Sequence, residues 1–538
     1  MFKRQPQGAL TNAPNTRYPY LGGTILALSA LMFIHYAWLI SSPHELLVCF
    51  IPDDAFYELE IARHFLTTGR WSFDGGFSTT TGFHLFNVYL MSTFPTLFDR
   101  PWLAIYVWMA VGLALSIFTI RVLCEFAVRE FGAFSLTFVA LVLTAPSFTT
   151  QSTAVMEYPF VISTAAAYVW TLWRAFEQPE RAGWFSIFSV GFLGSLVRSD
   201  FGGLPFAICI AAATCLLWNR STRVFIPSLY GLCGAAVGLA FVFLHNYFFS
   251  GHLLSGSVMA KALWGQRSGY SITLPLLTSV GALTWSYGLL LRAVSVLLLV
   301  LIVRAGATAL NHLRNPDGLA FATSLNKDSE KFLLGFSGLL AIAIYCVVYG
   351  ADPATQLWYS GNFVLPFVLV FGTISGWIAK DPVRRATSFA VIGILIVVNI
   401  KQAYKPVFPH QRYMLEMSDY VSRSHLNGRL AGWNVGIVGY FLDGRAINLD
   451  GLMNDQIYPY MRDHKVSEYL NDSRIDYIVD FPSQIVNPVL AKERGYDGES
   501  LFVQLKPVHT VPNLNRRDLW LDYTLFRRET GSASKGDR

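Results

Sequence analysis

Charge is the first thing this sequence has little of. Asp, Glu, Lys and Arg supply 14% of its 538 residues, and apolar residues supply 53%; a typical soluble domain carries about 25% charged residues. That deficit excludes an ordinary soluble fold over most of the chain. Cysteine is scarce too. The six cysteines, at positions 49, 124, 209, 215, 233 and 346, lie almost all in apolar runs, with no CxxC pair and none beyond Cys346, which argues against a disulfide framework or a Cys-based metal site. No Lys/Arg block is interleaved with aromatics, so the net charge of +6 does not indicate nucleic acid. Basic residues scattered between apolar runs instead suit loops facing anionic lipid. Lys3 and Arg4 precede an apolar stretch that lacks a small-x-small cleavage site, and it reads as a retained first span. Repeats are absent, and the one low-complexity tract is the polar end, Thr530 to Arg538.

What is present is apolar length. Aromatics reach 15%, with 14 Trp and 25 Tyr, residue types that favour the boundary between water and lipid. Spanning a bilayer takes roughly 17 to 25 mostly apolar residues. Candidate runs fall near 21–41, 103–123, 133–150, 157–173, 183–198, 203–218, 225–249, 282–303, 332–350, 359–378 and 386–400. The expectation is a polytopic α-helical membrane protein of about eleven spans. A shorter piece, 83–98, ends in Asp99-Arg100-Pro101. Treating it as not crossing keeps Arg121, Arg129, Arg174, Arg181, Arg220, Arg223, Arg304, Arg314, Lys380, Arg384 and Arg385 together on the cytoplasmic side. Arg292, inside 282–303, is a charge in a spanning run or a sign that the run is misplaced.

This topology places a long first loop, 42–102, and the tail, 401–538, on the non-cytoplasmic side. The tail has no spanning run. Strand-like pieces at Arg429 to Phe441, Ile475 to Asp480 and Tyr523 to Arg527 alternate with helix-like segments, as in a small α/β domain. Residues 1–400 thus read as a multi-span catalytic domain and 401–538 as a soluble extracytoplasmic α/β domain.

The first loop opens with Ile51-Pro52-Asp53-Asp54-Ala55-Phe56-Tyr57. Pro52 suits a helix start and Gly69 a helix stop. Phe56, Leu59, Ala62, Phe65 and Leu66 form an apolar stripe opposite Glu58, Glu60 and Arg63, which predicts an amphipathic helix lying at the outer interface. Two acids in its first turn complement the helix dipole. Being about 100° apart, they cannot share one hydrogen-bonding task. The histidines at 64, 84, 245 and 252 show no metal spacing and read as interfacial polar groups.

The string Asp53 to Tyr57, with Ile61-Ala62-Arg63 and a glycine turn following, resembles the first-loop signature of the GT-C glycosyltransferases, multi-span enzymes that use lipid-linked sugar donors. Further elements resemble bacterial members in the same order. Val155-Met156-Glu157 is similar to a Gly-Met-Glu element, and Arg198-Ser199-Asp200 to an Arg-Pro-Asp/Glu stretch in which Ser199 replaces proline. Tyr247 to Gly251 with Met259-Ala260-Lys261 is similar to a Tyr-Phe-Gly segment before Ala-Lys. Trp358-Tyr359 before Pro366 resembles another outer-loop element, and Gly439-Tyr440-Phe441 with Asn448 to Leu452 a segment of the extracytoplasmic domain.

The resemblance implies an inverting transfer of one sugar from a polyprenyl-phosphate donor to a cell-envelope glycan, glycolipid or protein, at a bacterial inner membrane, on the periplasmic or extracellular side. Such a reaction needs a carboxylate to deprotonate the acceptor, for which Asp53 is the first candidate, with Asp54 and Glu157 beside it. It also needs positive charge at the departing phosphate, for which Arg198 and Lys261 are the candidates. Asp200, Tyr359, Asn448 and Asp450 are candidate acceptor or sugar contacts, although Asn448 to Leu452 also reads as a turn between strands. No cofactor is required by the sequence; a divalent cation on Asp53, Asp54 and Glu157 stays open. The expected partners are the lipid-linked donor, the envelope acceptor and the bilayer. Two other classes stay open as well: a transporter or flippase of lipid-linked glycans, which should show internal repeats and mid-membrane ionisable groups, and a non-catalytic envelope assembly factor built on the same scaffold.

Overall fold

A computed structural model describes residues 19–177, 183–219, 222–268, 328–350, 357–513 and 522–529. The run at 282–303 with Arg292, and the tail Thr530 to Arg538, lie outside them.

The chain begins with α1 (Pro19–Ile40). The loop after it carries α2 (Asp53–Thr68) and α3 (Leu85–Met91). The bundle continues through α4 (Pro101–Phe131), α5 (Ser135–Leu143), α6 (Pro146–Gln151), α7 (Tyr158–Glu177), α8 (Trp184–Val197), α9 (Gly203–Asn219) and α10 (Thr222–Ser250). After α11 (Gly256–Ser268) come α12 (Asp328–Gly350), α13 (Gly361–Ile378) and α14 (Pro382–Ala403). Among the described residues, five helices are long and apolar enough to cross a membrane: those at Tyr20–Ile40, Pro101–Phe131, Val224–Ser250, Gly361–Ile378 and Pro382–Ala403. Three shorter apolar helices, Trp184–Val197, Ser199–Thr214 and Leu333–Tyr349, accompany them. The architecture is a polytopic helical membrane protein.

Two local features differ from, or bear on, the hydropathy reading. The run 133–150 is not one helix. Ala145, at φ −54° and ψ 137°, is extended ahead of Pro146, because the residue before proline is pushed out of the α region. The piece at 83–98 folds as the seven-residue α3 and a short 3-10 turn, Pro95–Leu97. Seven residues rise about 10 Å, far short of a hydrocarbon core of about 30 Å.

Beyond α14 and α15 (Gln411–Ser424) the chain forms a five-stranded sheet of order β2-β1-β3-β5-β4, built from β1 (Arg429–Gly432), β2 (Ala446–Asn448), β3 (Ile475–Asp480), β4 (Leu505–Val511) and β5 (Tyr523–Arg528). β1 lies parallel between β2 and β3, and β5 is antiparallel to both β3 and β4. The strand-like reading of Arg429 to Phe441 holds only as far as Gly432. Gly436–Phe441 is helix α16, since the parallel β1-to-β2 connection needs a crossover.

α2 departs most from expectation. Pro52 precedes it at φ −57° and Gly69 closes it at φ 70°, in the left-handed region glycine adopts without strain. Yet it does not lie at a lipid surface. Ala55 through Ala62 are all buried, Glu58 and Glu60 included. The helix is sandwiched because both faces find partners. Arg63 pairs with Glu60, reaches Asp443 at 2.8 Å and donates to the Tyr440 carbonyl at 2.8 Å, which binds α2 to α16. Elsewhere the Asp455 N–H donates to the Thr79 carbonyl at 3.0 Å, and the Thr81 hydroxyl donates to Asp455 at 2.9 Å and accepts from Gly256 N–H at 3.0 Å. Arg267, at the end of α11, donates to the carbonyls of Met461, Arg462 and Glu493 at 2.7, 2.8 and 3.0 Å. The first loop, α11 and the sheet unit therefore close over one end of the bundle together.

Candidate active site

The two acids that open α2 face different ways. Asp53 points at the sheet unit, its Oδ2 accepting from Gly436 N–H at 3.0 Å and its Oδ1 from Ile437 N–H at 2.8 Å. Asp54 points at the bundle. Its half-buried carboxylate makes no hydrogen bond or ion pair among the described residues. Burial pushes its pKa up to about 6; Lys261 and His84 pull against that, and Glu157 and Glu58 reinforce it.

Glu58 lies one turn after Asp54 and on the same face, as four-residue spacing requires. It is 1% exposed, accepts from the His84 N–H at 3.1 Å and from Asn87, and lies 2.6 Å from His84 Nδ1. The same Nδ1 is 3.4 Å from Glu157 Oε2. Burial pushes the His84 imidazole down, but Glu157 and Glu58 outweigh it and hold the pKa above the usual value. His84 is thus no interfacial polar group; it is the bridge between two carboxylates. The sequence carried a signal for Glu58 in its spacing from Asp54 and none for His84, which comes from 26 residues further along a loop.

Glu157, fully buried, receives Arg198 Nη1 at 2.6 Å. Where the resembling motif has glycine, this chain places Val155 at φ 59°, a backbone region that costs a side chain of its kind about 1–3 kcal/mol. That strain sits two residues before Glu157. Arg198 also donates through Nε to both oxygens of Asp200, at 2.9 and 3.0 Å, and lies 4.5 Å from the centre of the Tyr359 ring. Asp200 accepts from Tyr349 at 2.6 Å and from Asn362 at 3.0 Å. Burial alone would raise its pKa; Arg198 and these hydrogen bonds outweigh burial and hold it below the usual carboxylate range. Tyr349 and Asn362 were not foreseen, since neither stands in a motif. Lys261 donates to the Tyr359 hydroxyl and is the cation acting most strongly on Asp54.

From the sheet unit, Asp450 enters the same region. It is 6% exposed, and its Oδ1 accepts from Leu452 N–H at 2.7 Å in the turn after β2. Burial pushes its pKa up to about 7, Arg494 opposes that, and Asp54 adds to it. Asn448 is fully buried and donates to the Tyr57 hydroxyl at 3.1 Å, so it shapes the turn from behind. Of the residues singled out from the sequence, Asp54, Glu157, Arg198, Lys261, Asp200, Tyr359 and Asp450 converge; Asp53 and Asn448 serve the contact between α2 and the sheet.

A cation site different from the expected one is present in outline. One ligand atom each from Glu58, His84 and Glu157 lies within 4.8 Å of the others, and Glu157 Oε2 is buried without a hydrogen-bond partner. Two carboxylates and an imidazole suit a divalent transition metal. Asp53 is outside this set, its carboxylate being turned to the sheet.

A family profile described as a domain of unknown function, DUF8728, matches residues 400–525. No curated protein matches in sequence. Among solved structures, ArnT from Cupriavidus metallidurans bound to undecaprenyl phosphate is similar at 12% identity and a TM-score of 0.54, over 94% of this chain and 98% of that one. The apo oligosaccharyltransferase of Archaeoglobus fulgidus aligns at 11% identity and a TM-score of 0.49, over 90% of this chain and 72% of that one. At 12% identity the ArnT likeness speaks for architecture alone. A multi-helix bundle capped by its first loop and a C-terminal sheet unit, matched over nearly the full length of both chains, gives this protein the fold seen in ArnT.

Proposed function

We propose that this protein is an inverting glycosyltransferase that moves a sugar from a polyprenyl-phosphate donor to a cell-envelope glycan, glycolipid or protein. The observation that carries the reading is Asp54, a carboxylate without hydrogen bonds among the described residues, on which Lys261 is the cation acting most strongly. In the proposed reaction Asp54 takes the proton of the acceptor hydroxyl. The acceptor oxygen bonds to the anomeric carbon as that carbon's bond to the phosphate oxygen breaks, and the electron pair leaves with the polyprenyl phosphate. One such displacement inverts the anomeric centre. Lys261 faces the charge that builds on the leaving phosphate, where fixed positive charge lowers the barrier most. Glu58, His84 and Glu157 are the groups that would hold a divalent cation, which when bound supplies further neutralisation of phosphate charge.

The test is incubation of the purified protein with a panel of polyprenyl-phosphate sugars and envelope acceptors, followed by detection of released polyprenyl phosphate. Release that depends on acceptor supports the reading; no release with any donor, or equal release from the Asp54→Asn variant, overturns it. Lys261→Ala is expected to weaken donor use by about 1.5–3 kcal/mol, the range for a hydrogen bond to a charged group, seen as a rise of roughly tenfold or more in the donor KM. An unchanged donor KM removes Lys261 from donor binding.

The reading places residues 1–400 in the membrane and the sheet unit at 401–538 outside a bacterial inner membrane, with the site on that side. Glu468 has a side chain 58% exposed. A cysteine placed there, with the exposed Cys233 replaced, is expected to react with a membrane-impermeant maleimide in intact cells. Labelling only after lysis reverses the topology.

A further inference from the structure

Strand β1 lies in the one parallel part of the sheet, and the chain passes from it to β2 on one side and then crosses back over it to β3 on the other. In open α/β sheets the crevice at such a reversal, beyond the carboxyl ends of the strands, is where anionic ligands ordinarily bind, on the backbone N–H groups of the turn after the strand. Here that turn is filled by the protein itself. The N–H groups of Trp433 and Asn434 donate to Asp480 Oδ2 at 2.8 and 3.1 Å. Val435 N–H donates to the Tyr57 hydroxyl at 3.1 Å, and Gly436 and Ile437 N–H to the two oxygens of Asp53 at 3.0 and 2.8 Å. Five consecutive amides are thus satisfied, the last three by side chains of α2. A Cβ at Gly436 would stand 2.4 Å from the Asp53 carbonyl oxygen and 2.7 Å from its Oδ1, so glycine leaves the room that the backbone and carboxylate of Asp53 use. The Tyr57 hydroxyl also accepts from Asn448 at 3.1 Å, at the head of the turn that carries Asp450.

We propose that Asp53 is a positioning residue: its carboxylate occupies the turn after β1 in place of a ligand anion and locks the sheet unit, which carries Asp450, against α2. The proposal rests on the glycosyltransferase reading for its effect on turnover, and on geometry alone for the docking. Adjacent acids on one helix then divide two tasks. Asp53 holds the unit that closes the site, and Asp54, about 100° round the helix, faces the reactants.

Amide hydrogen exchange on the full-length protein in nanodiscs decides the docking without any substrate. Asp53→Ala is expected to speed exchange at residues 435–441 at least tenfold, Asp53→Asn, which keeps one acceptor oxygen, by less, and Asp54→Asn not at all. Between the two Asp53 variants acceptor turnover should follow the same order, with Asp53→Asn raising the acceptor KM more than it lowers kcat, whereas Asp54→Asn should lose turnover with its protection intact; formate should restore protection in Asp53→Ala by refilling the turn. Parent-like exchange in both Asp53 variants overturns the proposal, as does an Asp53→Asn protein that keeps parent-like protection and acceptor KM while losing kcat. If no donor is turned over by the parent, the functional reading fails while the exchange result still decides the docking. If Asp53→Ala does not fold, Asp53→Asn carries the test.

Discussion

Replacing Asp54 with Asn is expected to lower the rate of sugar transfer by about 100- to 10,000-fold, the range for loss of a general base. The change keeps the size of the side chain and removes its basicity. Since no hydrogen bond or ion pair among the described residues depends on Asp54, the fold should survive it. The pH profile supplies an independent check. Burial sets the Asp54 pKa at about 6, and a base works only when deprotonated. In the parent protein kcat/KM should therefore fall as pH drops through about 6 and level off above it, and the Asn variant should lack that limb. A base with a pKa close to working pH is also the most effective kind. Measured turnover near the parent level in Asp54→Asn removes this residue from the reaction. Loss of turnover equal to that of Asp53→Asn, with docking intact in both, makes the pair a single unit instead.

Arg198→Ala should damage stability more than donor binding. Its guanidinium is 7% exposed and fully engaged, with Glu157 at 2.6 Å on one side and Asp200 at 2.9 Å on the other. Removing the cation leaves two carboxylates facing each other across the gap, one of them wholly buried. Breaking a buried pair from one side costs about 3–5 kcal/mol, to be read as a lower denaturation midpoint in mild detergent. The neutral combination Arg198→Met, Glu157→Gln, Asp200→Asn should recover much of that loss, because no uncompensated charge remains. Parent-like stability with a raised donor KM would return Arg198 to the phosphate-binding role its motif implies. Under the proposed reaction the other assignment holds: Lys261, which donates to Tyr359 and is the cation acting most strongly on Asp54, is the one to face the departing phosphate.

Much of the local structure was legible. Pro52 and Gly69 bound α2 to within a residue, because proline and glycine act on the backbone dihedrals of their own position. Ile475–Asp480 is β3 as its apolar run suggests. The piece at 83–98 is too short to cross, as the charge alternation requires. Legibility failed where distant partners decided. Glu58 and Glu60 look like a solvated face by spacing, and become buried because His84, Asn87 and Arg63 satisfy them. His84 stands in no motif and matters only because its loop folds back between Glu58 and Glu157.

The sequence by itself determined that the chain is a membrane-spanning helical bundle with a polar sheet unit after it, and which acids and cations are available for chemistry. Hydropathy and helix punctuation act over one or two turns, so they can be read along the chain. Only the tertiary structure decided which of two neighbouring aspartates is held by the sheet unit. That choice depends on Gly436 and Ile437, more than 380 residues away, whose amides take Asp53 and leave Asp54 without such a partner among the described residues; no local pattern around Pro52 encodes where those amides will be.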